Sequence, residues 1–221
     1  MRFDHKKVLV TGASRGIGRA IALQFAAAGA KVAVHYRTNL DAAEATLADL
    51  SGTGHTLCVG DVADPDAAQN LVAKTVTDLG GLDILVNNAG IFEAHPVDEV
   101  SYEDWQHHWQ RTLTVNLTGP ANLCWHAVQH MRKTGGGRIV NVSSRGAFRG
   151  EPRCPAYGAS KAGLNALTQS LAQQLAPLGI FVGAVAPGFV ETDMATTVLD
   201  GPGGDAVRSQ SPLGRVAKPE E

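Results

Sequence analysis

The sequence predicts an α/β fold, a doubly wound parallel sheet with helices on both faces, in a single domain spanning residues 1–221. Three observations predict it. Short β-branched runs alternate strictly with longer stretches of helical spacing. The runs are apolar at successive positions, as strands covered on both faces must be. No linker, repeat or low-complexity block interrupts the series, so each helix serves as the crossover between parallel neighbours.

The elements follow in order. KKVLV at 6–10 is the first strand, and 16–29 the first helix, with Gly29 placed to end it. KVAVHY at 31–36 and HTLCVG at 55–60 are strands around a helix at 40–50. Asp64 is a cap and Pro65 a first-turn residue for a helix at 65–79. LDILVN at 82–87 is the fourth strand. A long helix at about 103–133 should kink at Pro120. RIVNVS at 138–143 and IFVGAVA at 180–186 are strands flanking a helix at about 156–178 that Gly179 ends.

Composition narrows the classes. Apolar residues are 44% and charged residues 18% of 221, which is globular usage. A net charge of −2 argues against a nucleic-acid partner. Cys58, Cys124 and Cys154 are odd in number and form no CxxC pair, which points to a reducing compartment and away from disulfides or structural zinc. No apolar run reaches 18 residues and the start is no secretory signal, so no membrane is expected and the cytoplasm is the expected location. The 25 glycines show no Gly-X-Y period, leaving turns or a phosphate cradle as their use.

That use falls directly after the first strand. Thr11-Gly12-Ala13-Ser14-Arg15-Gly16-Ile17-Gly18 opens a helix, and glycines there let backbone amides approach a pyrophosphate at the positive end of the helix dipole. The spacing is GxxxGxG, which a scan for GxGxxG would miss. About 20 residues on, a carboxylate would select the ribose 2′-hydroxyl of NAD. The second strand ends instead in His35-Tyr36-Arg37, with no acid before Asp41. Arg37 and Arg15 favour a 2′-phosphate, hence NADP(H) over NAD(H). The plainer alternative leaves Arg37 solvated.

Tyr157 and Lys161 stand four apart in YGASK near the start of a helix, so they share a face. Ser144 ends a strand 13 residues earlier, where the ligand crevice of a parallel sheet opens. A free tyrosine, with pKa about 10, is ionised about one part in a thousand at pH 7. A cation about 4 Å away at a dielectric of 20 contributes about 4 kcal/mol at most, roughly three pKa units. Lys161 could thus bring Tyr157 toward general acid/base work. Such pairs also occur on helices without function.

TGASRGIG at 11–18, NNAG at 87–90, Asn116, Ser144, YxxxK at 157–161 and Pro187-Gly188 together resemble the short-chain dehydrogenase/reductase family, in its order and over essentially the whole chain. The subgroup most resembled is that of the 3-oxoacyl-carrier-protein reductases. The resemblance implies a Rossmann-type domain and hydride transfer between a nicotinamide and a carbonyl or secondary alcohol, with a 3-oxoacyl thioester among the substrates. It implies that Tyr157 moves the proton, Lys161 lowers its pKa and bonds the nicotinamide ribose, Ser144 holds the carbonyl and Asn116 supports a water relay. The cofactor would meet Gly12, Ser14, Arg15, Gly16, Ile17 and Gly18 at its pyrophosphate. Asp61 and Val62 would border the adenine, and Asn88, Ala89 and Gly90 the adjoining ribose. Pro187, Gly188, Val190 and Thr192 would meet the nicotinamide end. Family members run on past Glu221 into another helix and strand, so the domain is expected to lack these. The long helices at about 103–133 and 156–178 commonly form dimer or tetramer interfaces in the family. A second function class, a catalytically silent dinucleotide sensor, is disfavoured by an intact Ser144, Tyr157 and Lys161.

Loops carry less information. Arg145, Arg149 and Arg153 either face an anionic substrate or, as the favoured reading, are solvated or interfacial. Gly135 and Leu178 stand where carrier-protein reductases keep basic docking residues. Phe92, Glu93, His95, Phe148, Met194 and Val198 are candidate pocket residues, though their type alone indicates only loop or core packing. His126 and His130 have i,i+4 spacing but no third ligand, so no metal is expected; His107 and His108 read as helix surface. Trp105, Trp109 and Trp125 read as helix packing. Gly183 replaces the asparagine usual in that strand.

Overall fold

The computed structural model describes residues 2–221, and the side chains of all of these but Met194 and Thr197. Six strands form one parallel sheet in the order β3-β2-β1-β4-β5-β6. They are β1 Lys7–Val10, β2 Lys31–Tyr36, β3 Thr56–Val59, β4 Ile84–Asn87, β5 Gly137–Val142 and β6 Ile180–Val185. Register is direct, with Val8 beside both Val32 and Ile84, and Val86 beside Val140.

Alternation along the strands explains why the central runs are apolar throughout. Val8, Val10, Val32, Val34, Ile84 and Val86 point to one face, where α1 (Gly16–Ala27) and α2 (Leu40–Ala48) cover them through Ala22, Ala26 and Ala43. Leu9, Ala33, Leu85 and Ile139 point to the other, against α3 (Pro65–Leu79) through Leu71 and Leu79, and α5 (Gly119–Met131) through Leu123 and Met131. The two layers make the fold doubly wound, as expected. Asp64 caps α3 through the Asp66 amide at 2.9 Å, and Gly80 ends it in the left-handed region.

The expected long fourth helix is three pieces. α4 (Tyr102–Leu113) passes through one π-helical turn, Thr114–Thr118, into α5. Pro120 is a first-turn residue of α5, so the break belongs to the π turn ahead of it. Between β5 and α7 (Pro155–Leu175) lies a single turn of helix, α6 (Gly146–Arg149). The last expected helix is α7 plus a 3₁₀ turn at Ala176–Leu178. Two short helices that periodicity does not predict, α8 (Asp193–Leu199) and α9 (Gly204–Arg208), follow β6. Among the described residues no helix is long and apolar enough to cross a membrane.

The strand order reverses between β1 and β4. Chain ends leaving these two strands diverge to opposite sides, and a crevice opens at their carboxyl ends.

Candidate active site

The crevice is a cavity of about 500 Å3. Its first wall is the turn from β1 to α1. Gly12 and Gly16 take φ values of 64° and 54°, in the region that favours glycine. A Cβ at Gly18 would overlap the Gly12 carbonyl oxygen, so helix and turn meet backbone to backbone. The Gly12 amide donates to His35 Nδ1 at 2.9 Å, which leaves Nε2 to donate to the Gly60 carbonyl at 3.0 Å. Burial lowers the pKa of this histidine and keeps it in that neutral tautomer. Thr11 Oγ1 accepts from the Asn88 and Ala89 amides at 2.9 and 3.0 Å, stapling the turn to the end of β4. Arg15 precedes α1 with extended backbone and no side chain capping the helix. The amides of its first turn therefore face the cavity with the helix dipole behind them, an arrangement fitted to an anionic group such as a pyrophosphate.

Farther along this wall, Arg37 Nη1 lies 3.6 Å from Asp61 Oδ2, both half-exposed. Arg15 Nη1 reaches across the mouth to Asp193 Oδ2 at 3.4 Å. Val62, Ala89 and Gly90 complete the near side; Pro187, Gly188, Val190 and Thr192 form the far side.

The second chemical centre sits at the floor. Ser144 follows β5, and its Oγ accepts from the Gly146 amide at 3.1 Å as the chain turns into α6. Tyr157 lies in the first turn of α7, edge-on to Phe92 with ring centroids 4.8 Å apart. Burial raises the Tyr157 pKa, and the neighbouring Ser144 hydroxyl opposes the rise. The phenol thus holds its proton at neutral pH. Lys161, one turn on, is buried; its Nζ donates to the Val142 carbonyl at 2.8 Å and lies 5.8 Å from the Tyr157 ring centroid. Burial pushes its pKa down to about 8.

Asn116 stands behind this floor rather than in it. It occupies the π turn, accepts from the Ile91 amide at 2.9 Å, donates to the Ile91 carbonyl at 3.0 Å and reaches Ser160 Oγ at 3.3 Å. The other residues expected to meet the cofactor or the reacting groups all line this cavity, from Gly12, Ser14 and Ile17 to Tyr157 and Lys161.

Several expectations about the loops change. Phe92 lines the cavity, but Phe148 points into solvent and His95 is wholly buried. His95 is a strut: it accepts from the Ala156 amide at 3.1 Å and bonds the Glu93 carbonyl at 2.8 Å, tying the 91–97 loop to the start of α7. Glu93 pairs with Arg111 at 3.0 Å, and Val198 is half-buried on α8. The side chain of Met194 lies outside the described residues. Arg153 is committed to Glu99 by two bonds of 2.8 and 2.9 Å. His130 accepts from the Leu82 amide at 3.2 Å, and among the described residues no three metal-ligating side chains converge. Trp105 and Trp109 pack together, whereas Trp125 is 60% exposed on α5. Sequence reasoning missed His35, whose place at the end of a strand after a glycine turn was the available signal. It also missed Glu151 and Phe189, which line the cavity from irregular segments that carry no periodicity.

Comparisons with known proteins agree with this geometry. The family model described as short chain dehydrogenase matches residues 6–202. A D-threitol dehydrogenase of Mycolicibacterium smegmatis is 38% identical over 222 residues, covering 100% of this chain and 84% of the relative. A 3-oxoacyl-[acyl-carrier-protein] reductase of Synechocystis is 40% identical over 216 residues, covering 96% and 84%. Among solved structures, a short-chain dehydrogenase from Burkholderia cenocepacia in complex with NADP is 40% identical, with a TM-score of 0.89 over 100% of this chain and 88% of that one. A six-stranded sheet wound in this order, a glycine turn at its switch point and a serine, tyrosine and lysine on the opposite floor agree with a family match over most of the length, and the chain belongs to the short-chain dehydrogenase/reductase family.

Proposed function

We propose that the chain is an NADP(H)-dependent oxidoreductase that moves a hydride between the nicotinamide and a carbonyl or secondary-alcohol carbon. The observation that carries this reading is the placement of Ser144, Tyr157 and Lys161 in the same cavity that the glycine turn opens. The cofactor, when bound, supplies or receives the hydride at the nicotinamide ring. The amides of Gly16, Ile17 and Gly18 are suited to its pyrophosphate, and Arg37 with Arg15 to a 2′-phosphate. The 3.6 Å pair between Arg37 and Asp61 is open at the surface, so a phosphate can replace or join the carboxylate there. Pro187, Gly188, Val190 and Thr192 border the nicotinamide end, and Asp61 and Val62 the adenine end.

In reduction, the protonated Tyr157 donates its phenolic proton to the substrate oxygen while Ser144 holds that oxygen by a hydrogen bond. Lys161 then favours the phenolate left behind and carries the proton that restores it; Asn116 fixes the backbone beside this route. The relatives named as D-threitol dehydrogenase and 3-oxoacyl-[acyl-carrier-protein] reductase are nearly equally similar, at 38% and 40%. Overall similarity therefore supports the chemistry, with polyol-derived ketones and 3-oxoacyl thioesters both among the substrates to test. We also propose a homo-oligomer formed through α4, α5 and α7, with exposed Trp125 as part of its contact.

Tyr157→Phe is the direct test. The variant should bind NADPH as the wild type does and lose at least about a thousandfold in kcat, roughly 4 kcal/mol of barrier. Reduction at a rate near wild type would remove Tyr157 from the proton transfer.

A further inference from the structure

Cations at the cavity divide into two kinds. Arg15 and Arg37 each face a carboxylate, Asp193 and Asp61. Lys161 donates to the Val142 carbonyl and serves the Tyr157 proton route. Arg145 differs: its guanidinium donates to Gln210 Oε1 at 2.7 Å, and Arg149 donates to the same oxygen at 3.0 Å. Two like charges thus converge on one neutral amide oxygen, and among the described residues neither forms an ion pair. A carboxylate at that point would gain charge-assisted bonds to both forks, which the amide cannot match.

Arg145 is also aimed. It directly follows Ser144, its amide donates to the Pro187 carbonyl at 3.0 Å, and its guanidinium lies 4.7 Å over the Phe189 ring centroid. This cation–π contact holds the guanidinium over the ring. Arg145, Phe189 and Ser144 all line the cavity. Burial, and after it the charge of Arg149, lower the Arg145 pKa, while the charge of Glu151 partly opposes them. Glu151 occupies the other side of this end. Its carboxylate is folded over Gly146, where an added Cβ would stand 2.8 Å from Oε1. Arg145 and Glu151 thus both line this end of the cavity, and Arg149 joins Arg145 from outside the lining through their shared bond to Gln210.

We propose that Arg145 and Arg149 form an oxyanion-binding subsite beside Ser144, so that the preferred substrate carries a carboxylate or phosphate group. This rests on the reductase reading above and adds the substrate class to it. The subsite acts on binding and orientation: held at the arginines, the anion turns the carbonyl toward Ser144 and Tyr157.

The test uses matched pairs with NADPH: acetoacetate against ethyl acetoacetate, dihydroxyacetone phosphate against dihydroxyacetone, and acetoacetyl-CoA against its N-acetylcysteamine thioester. At least one anionic member should show kcat/KM ten-fold or more above its neutral partner, and which pair does so separates a carboxylate from a phosphate. In Arg145→Gln that ratio should fall at least ten-fold, chiefly through KM, with Arg145→Lys restoring part of it. Arg149→Gln, on an exposed side chain, should lower the ratio by a smaller factor and serves if Arg145→Gln fails to fold. Ratios within two-fold of one in every pair, or unchanged ratios in the variants, would overturn the subsite while leaving the reductase reading intact. If no pair turns over, the reductase reading falls. Calorimetric titration of acetoacetate and inorganic phosphate then decides the subsite: binding weakened ten-fold by the Arg145 variant supports it, and no binding overturns it.

Discussion

Lys161 is a cation with 4% of its surface exposed, and its ammonium bonds the Val142 carbonyl at 2.8 Å. Burial alone moves its pKa, down to about 8. An unfolded chain keeps lysine protonated to about pH 10.4. Between these values the unfolded state binds more protons than the folded one, so this residue makes stability rise with pH across the window. Below about pH 8 both states are protonated and the full cost of the buried charge is present. Tyr157, with its pKa raised by burial, acts with the opposite sign and only above its ordinary value near 10. Lys161→Met should therefore be more stable than wild type at pH 7, by a margin that shrinks by about 1 kcal/mol per pH unit between 8 and 10. Urea unfolding at pH 7, 8, 9 and 10 measures that margin. A margin independent of pH would show that the lysine is not held against its own charge. Tyr157 and Lys161 were visible in sequence because a four-residue spacing puts both on one helix face, and Ser144 because it ends a strand. Their immediate partners were not: Phe92 reaches Tyr157 from a loop 65 positions away, and the acceptor for Lys161 is a backbone carbonyl.

At the scale of elements, the π turn between α4 and α5 shows what periodicity leaves out. One extra residue in the turn swings Asn116 from a helix flank into the sheet end, where it makes three bonds to Ile91 and Ser160. It also sets α5 so close to the loop after β3 that a Cβ on Gly119 would stand 2.5 Å from the Val62 carbonyl oxygen. Asn116 is wholly buried, so Asn116→Ala would leave the Ile91 amide and carbonyl without their partner. At about 1–3 kcal/mol for each of the two stranded groups, the variant should lose about 2–6 kcal/mol in chemical denaturation. Its kcat should fall with the loosening of the Ile91 segment, which adjoins Phe92. A loss below about 1 kcal/mol would mean that water or a backbone shift satisfies Ile91 instead. Strands and long helices were readable because they repeat an apolar pattern over many residues. α6, α8 and α9, of 4, 7 and 5 residues, carry too few turns to display one, and tertiary contacts define them. The ion pair from Arg15 to Asp193 spans 178 positions, a distance over which no local rule operates.

For the whole molecule, the two apolar layers lie on opposite faces of the sheet, and the cavity lies where its two halves diverge. The wall from β1, β2 and β3 supplies the glycine turn, Arg37 and Asp61; the wall from β5 and β6 supplies Ser144, Tyr157 and the 187–192 segment. A dinucleotide spanning both walls binds the folded sheet and has no site on an unfolded chain, so its binding free energy adds to global stability. At a free concentration of 100 times Kd the gain is about 2.7 kcal/mol. For a chain of this size each kcal/mol raises Tm by about 2–4 °C, so saturating NADP+ should raise Tm by about 5–10 °C. On the proposal that Arg37 holds the 2′-phosphate, NAD+ at equal concentration should raise it by less. Arg37→Asp sets a second carboxylate beside Asp61, which repels that phosphate and suits a bare ribose hydroxyl. In this variant the order should reverse, with the NAD+ shift exceeding the NADP+ shift. Thermal unfolding of both proteins with each nucleotide measures all four shifts. Equal shifts for the two nucleotides in the wild type would remove Arg37 from cofactor choice. A wild-type NADP+ excess that survives Arg37→Asp would assign the phosphate to Arg15, whose bond to Asp193 would then have to open on binding.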